Sequence, residues 1–112
     1  MSGVLEGLKV LDLSWGVAGP MTGMLLGDHG ANVTRIERPE GDPFEGLLGY
    51  KVWHRGKKNA VLNLKDESDL EIFYKLAADA DIVIESFRPG VTSRLKIDYP
   101  TLAATNPRLI YC

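Results

Sequence analysis

The sequence predicts a parallel, doubly wound α/β sheet as the fold class. Short apolar segments typical of buried strands recur along the chain, and segments with the apolar spacing of helices lie between them. A glycine-containing turn joins the first strand to the first helix, as in nucleotide-binding βαβ units. Because a parallel strand needs a crossover connection to reach its neighbour, this alternation favours a parallel sheet with helices on its faces.

The first βαβ unit begins at residues 8–13, which are apolar and partly β-branched and are predicted to form a buried strand. Residues 14–19 form the turn. Pro20 suits the first helical position, where its missing N–H removes no hydrogen bond, and Gly30 suits the helix end. Residues 32–37 are the second predicted strand. Spacings of three and four give the helix one predicted apolar face, formed by Met21, Met24, Leu25 and His29.

A long irregular segment, residues 38–56, follows the second strand. It contains prolines, glycines, aromatic residues and charged residues without a regular period. Irregular segments of this length are uncommon in compact domains and are often functional. Polar and apolar residues alternate sufficiently in residues 57–64 to predict a third strand.

The second half of the chain repeats the pattern. Asp66 is predicted to cap a helix that ends near Asp79. A fourth strand at 81–85, a short helix at 99–105 and a fifth strand at 108–111 follow. The inward residues of the longer helix are predicted to be Leu70, Phe73, Tyr74, Leu76 and Ala77. The last strand has no loop after it, so residues 1–112 are expected to be the N-terminal part of a larger domain.

Composition narrows the function classes. The 112 residues carry a net charge of −2, which gives no reason to expect a nucleic-acid partner. No apolar segment approaches the roughly 20 residues that span a bilayer, and no signal peptide is recognisable. The single cysteine, Cys112, excludes an internal disulfide and fits a reducing compartment, so a cytoplasmic location is expected.

Ligands of open parallel sheets bind at the carboxyl ends of the strands. Four segments fall there: 14–20, 37–38, 62–65 and 86–88. We therefore expect them to meet in one site.

The glycines of the first turn do not have the spacing of the dinucleotide fingerprint. They are spaced G-x-x-G-x-x-x-G, at Gly16, Gly19 and Gly23, whereas the fingerprint is G-x-G-x-x-G. Glu37 does mimic the acidic residue that follows the fingerprint. Two interpretations of the glycines stay open: close approach of the backbone to a ligand, or close packing of the helix on the sheet.

Basic residues suggest a phosphorylated ligand. Arg38 follows the second strand, where a basic residue accommodates a phosphate on an adenosine ribose. Coenzyme A and NADP both carry such a phosphate, so the position does not choose between them. Arg88 and Arg94 flank a Pro-Gly pair, and the N–H groups of a guanidinium are well placed to bind phosphate oxygens. Phe87 could stack on adenine or pack in the core.

A second basic group occupies the irregular segment and surrounds His54. It is either a solvated surface or a pyrophosphate partner. Its members are Lys51, Arg55, Lys57 and Lys58.

Candidate nucleophiles and metal ligands are few. Ser14, Ser86 and Cys112 have no evident His–carboxylate partner, and two histidines with one cysteine at wide spacing predict no metal site. Asp12 lies inside the first strand. Because a buried carboxylate is costly unless it is paired, we expect it to accept hydrogen bonds from N–H groups of the adjacent turn.

Eight ordered segments resemble one known family. They read Gly-Leu-Lys-Val-Leu-Asp-Leu (7–13), Ala-Gly-Pro (18–20), Leu-Gly-Asp-His-Gly-Ala-Asn-Val (26–33), Ile-Glu-Arg-Pro (36–39), Arg-Gly-Lys-Lys (55–58), Leu-Asn-Leu-Lys (62–65), Ala-Asp-Ile-Val-Ile-Glu-Ser-Phe-Arg-Pro-Gly-Val (80–91) and Asn-Pro-Arg-Leu-Ile-Tyr (106–111). In this respect the chain resembles the family III coenzyme A transferases, which include formyl-CoA transferase, carnitine CoA-transferase and α-methylacyl-CoA racemase.

The resemblance implies a Rossmann-like large domain, a smaller second domain and an interlocked homodimer. It also implies that coenzyme A is bound, with an acyl-CoA and a carboxylic acid as substrates and with no metal. The CoA-binding residues predicted from the residue analysis and the resemblance together are Trp15, Val17, Ala18, Arg38, Leu62, Lys65, Ser86, Phe87, Arg88 and Arg94.

No catalytic residue of the family falls within this chain. In the transferases an aspartate beyond position 112 attacks the acyl-CoA thioester, and in the racemase an Asp and a His exchange a proton next to the thioester carbonyl. Ala18 stands where the racemase typically has proline, which favours a transferase. Trp15 and Val17 replace the His and Gln of formyl-CoA transferase, which argues against oxalate-type specificity. A non-catalytic NADP-type binding module remains an alternative from another class.

Overall fold

The computed structural model describes residues 3–112. This part of the chain contains five strands and five helices, which alternate except that two helices precede the last strand. The strands are β1 (Lys9–Asp12), β2 (Asn32–Glu37), β3 (Lys58–Val61), β4 (Ile82–Ile84) and β5 (Ile110–Tyr111). The helices are α1 (Ala18–Asp28), α2 (Tyr50–Trp53), α3 (Glu67–Ala78), α4 (Val91–Arg94) and α5 (Tyr99–Ala103).

All strand pairs are parallel, and the sheet order is β3-β2-β1-β4-β5. The chain moves outward from β1 to β3 on one side and then returns to β4 and β5 on the other. This reversal next to β1 is the switch point at which open α/β sheets bind ligands. The predicted Rossmann-like, doubly wound α/β fold is therefore confirmed.

One face of the sheet carries the larger apolar core, on which α3 packs. Phe73 and Ala77 of α3 are buried against Leu11, Ile36 and Val83 of the strands. The predicted N-cap of this helix is also confirmed, because the Asp66 side chain accepts a hydrogen bond from the Asp69 N–H. Leu76, which was predicted to face inward, is instead 36% exposed, because it lies at a small open pocket that it lines with Leu11 and Thr34.

Helix α1 covers the opposite face and differs from the prediction. It begins at Ala18, so Pro20 is the third helical residue, where its missing N–H still removes no intrahelical bond. Its buried residues are Pro20, Gly23 and Met24. The other members of the predicted apolar face, Met21, Leu25 and His29, are exposed. The helix packs on the sheet through the side that carries Gly19 and Gly23, because the ion pair of Asp12 and Lys57 lies beneath this side.

The irregular segment 38–56 contains the short helix α2, which was not predicted, and α4 was also missed. Neither helix buries a residue completely, so no apolar period marks them in the sequence. Within residues 3–112 no helix is both long enough and apolar enough to cross a membrane.

Candidate functional site

A cavity of about 890 Å³ lies at the carboxyl ends of β1, β2, β3 and β4. This volume is typical of small-molecule sites. Apolar residues that continue from the strands and from α4 form much of its lining: Leu13, Ile36, Leu62, Leu64, Val91 and Leu95. The four strand ends that were predicted to meet therefore do share one concave surface.

Aromatic residues line the cavity after β1 and after β4. The rings of Trp15 and Phe87 meet edge to face with centroids 5.3 Å apart. The Arg38 guanidinium lies over the Trp15 ring, 4.5 Å from its centroid, and the Arg38 Nε donates to the Gly41 carbonyl at 2.8 Å. Arg38 is therefore held in place by a cation–π contact and a hydrogen bond.

The Ser86 hydroxyl links the first turn to the end of β4. Its Oγ accepts a hydrogen bond from the Trp15 N–H at 2.8 Å and donates to the Trp15 carbonyl at 3.2 Å. Ser86 thus fixes the backbone that carries the indole ring, in addition to lining the cavity.

The charged residues of the cavity wall are mostly basic. Arg38, Lys65, Arg88 and Arg94 line it together with a single acid, Glu40. Glu40 lies 3.7 Å from the Arg38 Nε. Lys65, Arg88 and Arg94 form no ion pair within the described part of the chain, so their charges are available to an anion.

Most of the residues predicted for the site line this one cavity: Trp15, Arg38, Leu62, Lys65, Ser86, Phe87, Arg88 and Arg94. Val17 and Ala18 do not line it. Val17 is the N-cap of α1 and Ala18 its first residue, and both are exposed. Their binding roles, like those of the lining residues, stay predictions.

The basic group around His54 does not face the cavity. Lys57 Nζ donates to Asp12 Oδ2 at 2.7 Å and to the Pro20 carbonyl at 2.8 Å, and its side chain is only 2% exposed. Arg55 pairs with Asp28 at 2.6 Å. Lys57 fits neither the solvated surface nor the pyrophosphate partner that were predicted for this group. Its ammonium is buried and paired with the Asp12 carboxylate, so it is neither solvated nor free to bind a pyrophosphate.

Asp12 behaves partly as predicted. Its Oδ1 accepts from the Ser14 N–H at 2.9 Å and from the Ser14 hydroxyl, which confirms the expected bonds to the turn. The pairing of Asp12 with Lys57 was not predicted. Burial lowers the pKa of the Lys57 ammonium, an effect that the Asp12 charge opposes.

His54 lies between two charged residues. Its Nδ1 is 3.3 Å from Lys57 Nζ and accepts that N–H, so the ring proton is on Nε2, which is 3.7 Å from Asp42 Oδ2. Burial and the nearby Arg35 and Lys57 charges lower the pKa of His54 to about 4. The imidazole is therefore neutral at pH 7 and serves as a structural group.

A buried arginine was missed in the sequence. Arg35 of β2 is 3% exposed, pairs with Glu37 at 3.2 Å and also pairs with Asp42. Its guanidinium lies 5.4 Å from the centroid of the Tyr50 ring. An arginine between the apolar residues Val33 and Ile36 of a predicted strand was the available signal, because a buried charge needs partners.

The turn glycines have packing roles. Gly16 adopts φ +84°, which favours glycine in the turn. A Cβ on Gly19 would lie 2.3 Å from Ser14 Cβ, and one on Gly23 would lie 2.8 Å from Asp12 Oδ2. Of the two interpretations of Gly19 and Gly23, close packing of α1 on the end of β1 is therefore correct.

This arrangement can bind a ligand but has no recognisable reactive centre. An apolar floor, an aromatic pair and a basic wall suit a molecule with a flat ring and several negative charges. The described residues contain no group of three potential metal ligands. The His29 Nδ1 bonds to the Leu25 carbonyl, and Cys112 is exposed.

Comparison with known proteins identifies the family. The family model described as CoA-transferase family III matches residues 5–112. The acetyl-CoA:oxalate CoA-transferase of Acetobacter aceti is 44% identical over 118 residues, covering 97% of this chain and 30% of the relative. The α-methylacyl-CoA racemase of Mus musculus is 37% identical over 108 residues, covering 96% of this chain and 27% of that protein.

A solved structure agrees with the sequence comparison. The crystal structure of a CAIB/BAIF family protein from Brucella suis superposes with a TM-score of 0.94 at 36% identity, covering 100% of this chain and 33% of that one. The chain spans about 30% of the length of the relative from Acetobacter aceti. A family model that matches nearly every residue and relatives well above 30% identity lead to one conclusion: the chain belongs to CoA-transferase family III.

Proposed function

We propose that this chain supplies the coenzyme A-binding portion of an acyl-CoA transferase, which moves coenzyme A between an acyl-CoA and a carboxylic acid. The observation that carries the proposal is the cavity with its basic wall and aromatic pair at four strand ends, in a member of this family. Coenzyme A contains an adenine ring, which suits the aromatic pair, and three phosphate groups, which suit the basic wall.

Each part of the wall has a role in the proposal. Arg38 would meet the phosphorylated ribose, because it follows β2 and is held by Trp15 and Gly41. Lys65, Arg88 and Arg94 would bind phosphate oxygens, since each is free of ion pairs among the described residues. The apolar floor would take the adenine ring.

The reaction itself is proposed to use residues outside this chain. A carboxylate would attack the thioester carbonyl, forming an acyl anhydride and releasing coenzyme A as a thiolate. The residues described here would hold the nucleotide end and supply binding energy. We therefore propose that residues 1–112 are the N-terminal segment of a larger domain.

The remaining features of the proposal rest on the family. Its transferases, as the resemblance implies, form interlocked homodimers, and we propose the same assembly for the whole protein. Cys112 as the single cysteine fits the proposed cytoplasmic location. No metal or nucleic-acid partner is part of the proposal.

A racemase is the second candidate. The relative from Mus musculus, named α-methylacyl-CoA racemase, is 37% identical to this chain, and it would require the same coenzyme A-binding cavity. Ala18 in place of the proline typical of that enzyme favours the transferase.

The NADP-type binding module is less well supported. Glu37 holds the position of the ribose-binding acid of dinucleotide folds, but its Oε2 faces Arg35 at 3.2 Å. Gly19 and Gly23 are required for packing within the protein, so they do not serve as the glycines that approach a pyrophosphate in the dinucleotide fingerprint.

The ligand is tested by titrating the longest form of the protein with coenzyme A, 3′-dephospho-coenzyme A and NADPH. Tightest binding of coenzyme A is expected, and loss of the 3′-phosphate should weaken it. Arg88→Gln should reduce the affinity about tenfold, whereas Arg108→Gln, at the other end of the sheet and 83% exposed, should leave it unchanged. Tighter binding of NADPH would contradict the proposal.

The reaction is tested by incubating the protein with an acyl-CoA and a panel of carboxylic acids in deuterated water. A transferase forms a new acyl-CoA without deuterium next to the carbonyl. A racemase incorporates deuterium and forms no new thioester. The two candidates therefore give opposite results in one experiment.

A further inference from the structure

Arg35 lies under the end of β2, on the face of the sheet opposite the cavity. The cavity-lining Ile36 follows it, and side chains alternate along a strand. Its Nη1 is 3.2 Å from Glu37 Oε2, and its Nη2 pairs with Asp42. One buried guanidinium therefore serves two carboxylates.

Both carboxylates lie close to the cavity wall. Glu37 directly precedes Arg38, and Asp42 Oδ1 accepts the Phe44 N–H at 2.7 Å. Arg38 and Phe44 both line the cavity. Glu37 is thus the sequence neighbour of the residue that is proposed to meet a phosphate, and Asp42 holds the backbone of a second residue of the cavity wall.

The neighbouring groups do not neutralise these carboxylates. Lys57 pairs with Asp12. Burial and the nearby Arg35 and Lys57 charges lower the pKa of His54 to about 4, so this histidine is uncharged at pH 7 while Arg35 is present. The cluster of Asp12, Arg35, Glu37, Asp42 and Lys57 has three carboxylates and two cations, a formal charge of −1. Removing Arg35 would leave Glu37 and Asp42 without the cation that they share.

An acid at the end of β2 accepts the free ribose diol in dinucleotide-binding folds. A phosphate on that ribose would be repelled by an uncompensated acid. Resting on the coenzyme A-binding function proposed above, we propose that Arg35 is a specificity-determining residue. By pairing with Glu37 and Asp42, it keeps their charge away from the ribose and so lets the cavity prefer a phosphorylated one.

The test measures the ratio of the dissociation constants of 3′-dephospho-coenzyme A and coenzyme A in the full-length protein. This ratio is the phosphate preference. Arg35→Gln should lower it on the order of tenfold at low salt and pH 8, well above the ordinary His54 pKa of 6.5, because one net negative charge is added near the residue proposed to meet a dianionic phosphate. The combined variant R35Q/E37Q restores the net charge and should recover most of the preference.

Two further variants separate charge from packing. Glu37→Gln keeps Arg35 and removes one acid whose side chain is 20% exposed, so it should fold and should raise the preference. Lys9→Gln changes the net charge by the same amount as R35Q but lies at the amino end of β1, paired with Asp79. It should leave the preference unchanged.

The outcomes are distinct. A lower preference in R35Q that E37Q rescues supports the proposal. Equal weakening of both ligands in R35Q, or no rescue, overturns it, because that is what a merely structural role would give. If R35Q does not fold, the proposal depends on E37Q alone, and an unchanged preference there overturns it. A wild-type protein without any phosphate preference would instead overturn the proposed function itself.

Discussion

The face of the sheet that carries α3 and the face that carries α1 differ in what fills them. The α3 face buries an extended apolar cluster that includes Leu11, Phe73 and Leu102. Among residues 3–112, the α1 face buries a smaller cluster of four apolar residues, and beside them lie Asp12 and Arg35 with their partners. The difference indicates that one face provides stability, while the other positions the segment 38–56 that forms part of the cavity wall.

The largest loss of stability is expected on the α3 face. Phe73 is 0% exposed, and Phe73→Ala should lower the free energy of unfolding by about 3–5 kcal/mol, because the surrounding residues cannot refill the cavity. Urea denaturation measures this. The matched control is Ile72→Ala on the same helix, at a residue that is 46% exposed, where the loss should stay below about 1 kcal/mol. Similar losses in both variants would contradict burial in the α3 core as the source of the Phe73 contribution.

On the α1 face, Lys57→Met should cost about 3 kcal/mol, because it leaves the fully buried Asp12 carboxylate without its cation. The double variant D12N/K57M removes both charges and should regain most of that loss, since the Asn oxygen can still accept from the Ser14 N–H. Denaturation curves of the single and double variants decide this. A double variant as unstable as K57M would show that packing, not charge, is responsible.

The pH dependence sharpens the comparison further. The folded-state pKa of His54 is about 4, below its ordinary value of 6.5, so between these pH values the unfolded chain binds a proton that the folded chain does not. Stability from this group is complete above pH 6.5 and is lost as the pH falls toward 4, by about 3 kcal/mol. His54→Gln should flatten this part of the pH profile of the unfolding free energy. A profile unchanged by the substitution would exclude His54 as its cause.

The smallest effect is expected in α1. Gly23→Ala would bring a Cβ to 2.8 Å from Asp12 Oδ2, and this strain should outweigh the gain in helix propensity by about 1 kcal/mol. Gly27→Ala in the same helix meets only Val33 Cγ2 at 3.5 Å, an ordinary contact, and should instead stabilise the protein. Thermal denaturation of the two variants should therefore shift in opposite directions. Shifts in the same direction would contradict the packing explanation for Gly23.

The fold was predictable because strand and helix segments alternate, and the position of the cavity followed from the rule that parallel sheets bind at their carboxyl ends. Arg38 and Ser86 were found in this way, since each directly follows a predicted strand end. The charged cluster could not be predicted. Asp12 and Lys57 are 45 positions apart, and only the parallel sheet with α1 above it brings them together.

The exposed side of α1 shows a different limit. Met21 and Leu25 have the spacing of a buried helical face, but they are 40% and 51% exposed. Helical periodicity indicates which residues share a face and not which face meets the sheet. That choice depended on Gly19 and Gly23, whose missing side chains make room for Ser14 and Asp12.

The four strand ends around the cavity come from widely separated parts of the chain, and this has a consequence for folding energetics. The lining runs from Leu13 to Leu95, so the cavity exists only when the parts of the chain from both sides of the switch point are assembled. A ligand bound there therefore favours the whole native sheet over the unfolded chain by mass action. At a free concentration a hundred times its dissociation constant it adds about 2.7 kcal/mol. Amide hydrogen exchange that requires global unfolding should then slow in every strand at once, including β5, which does not touch the ligand.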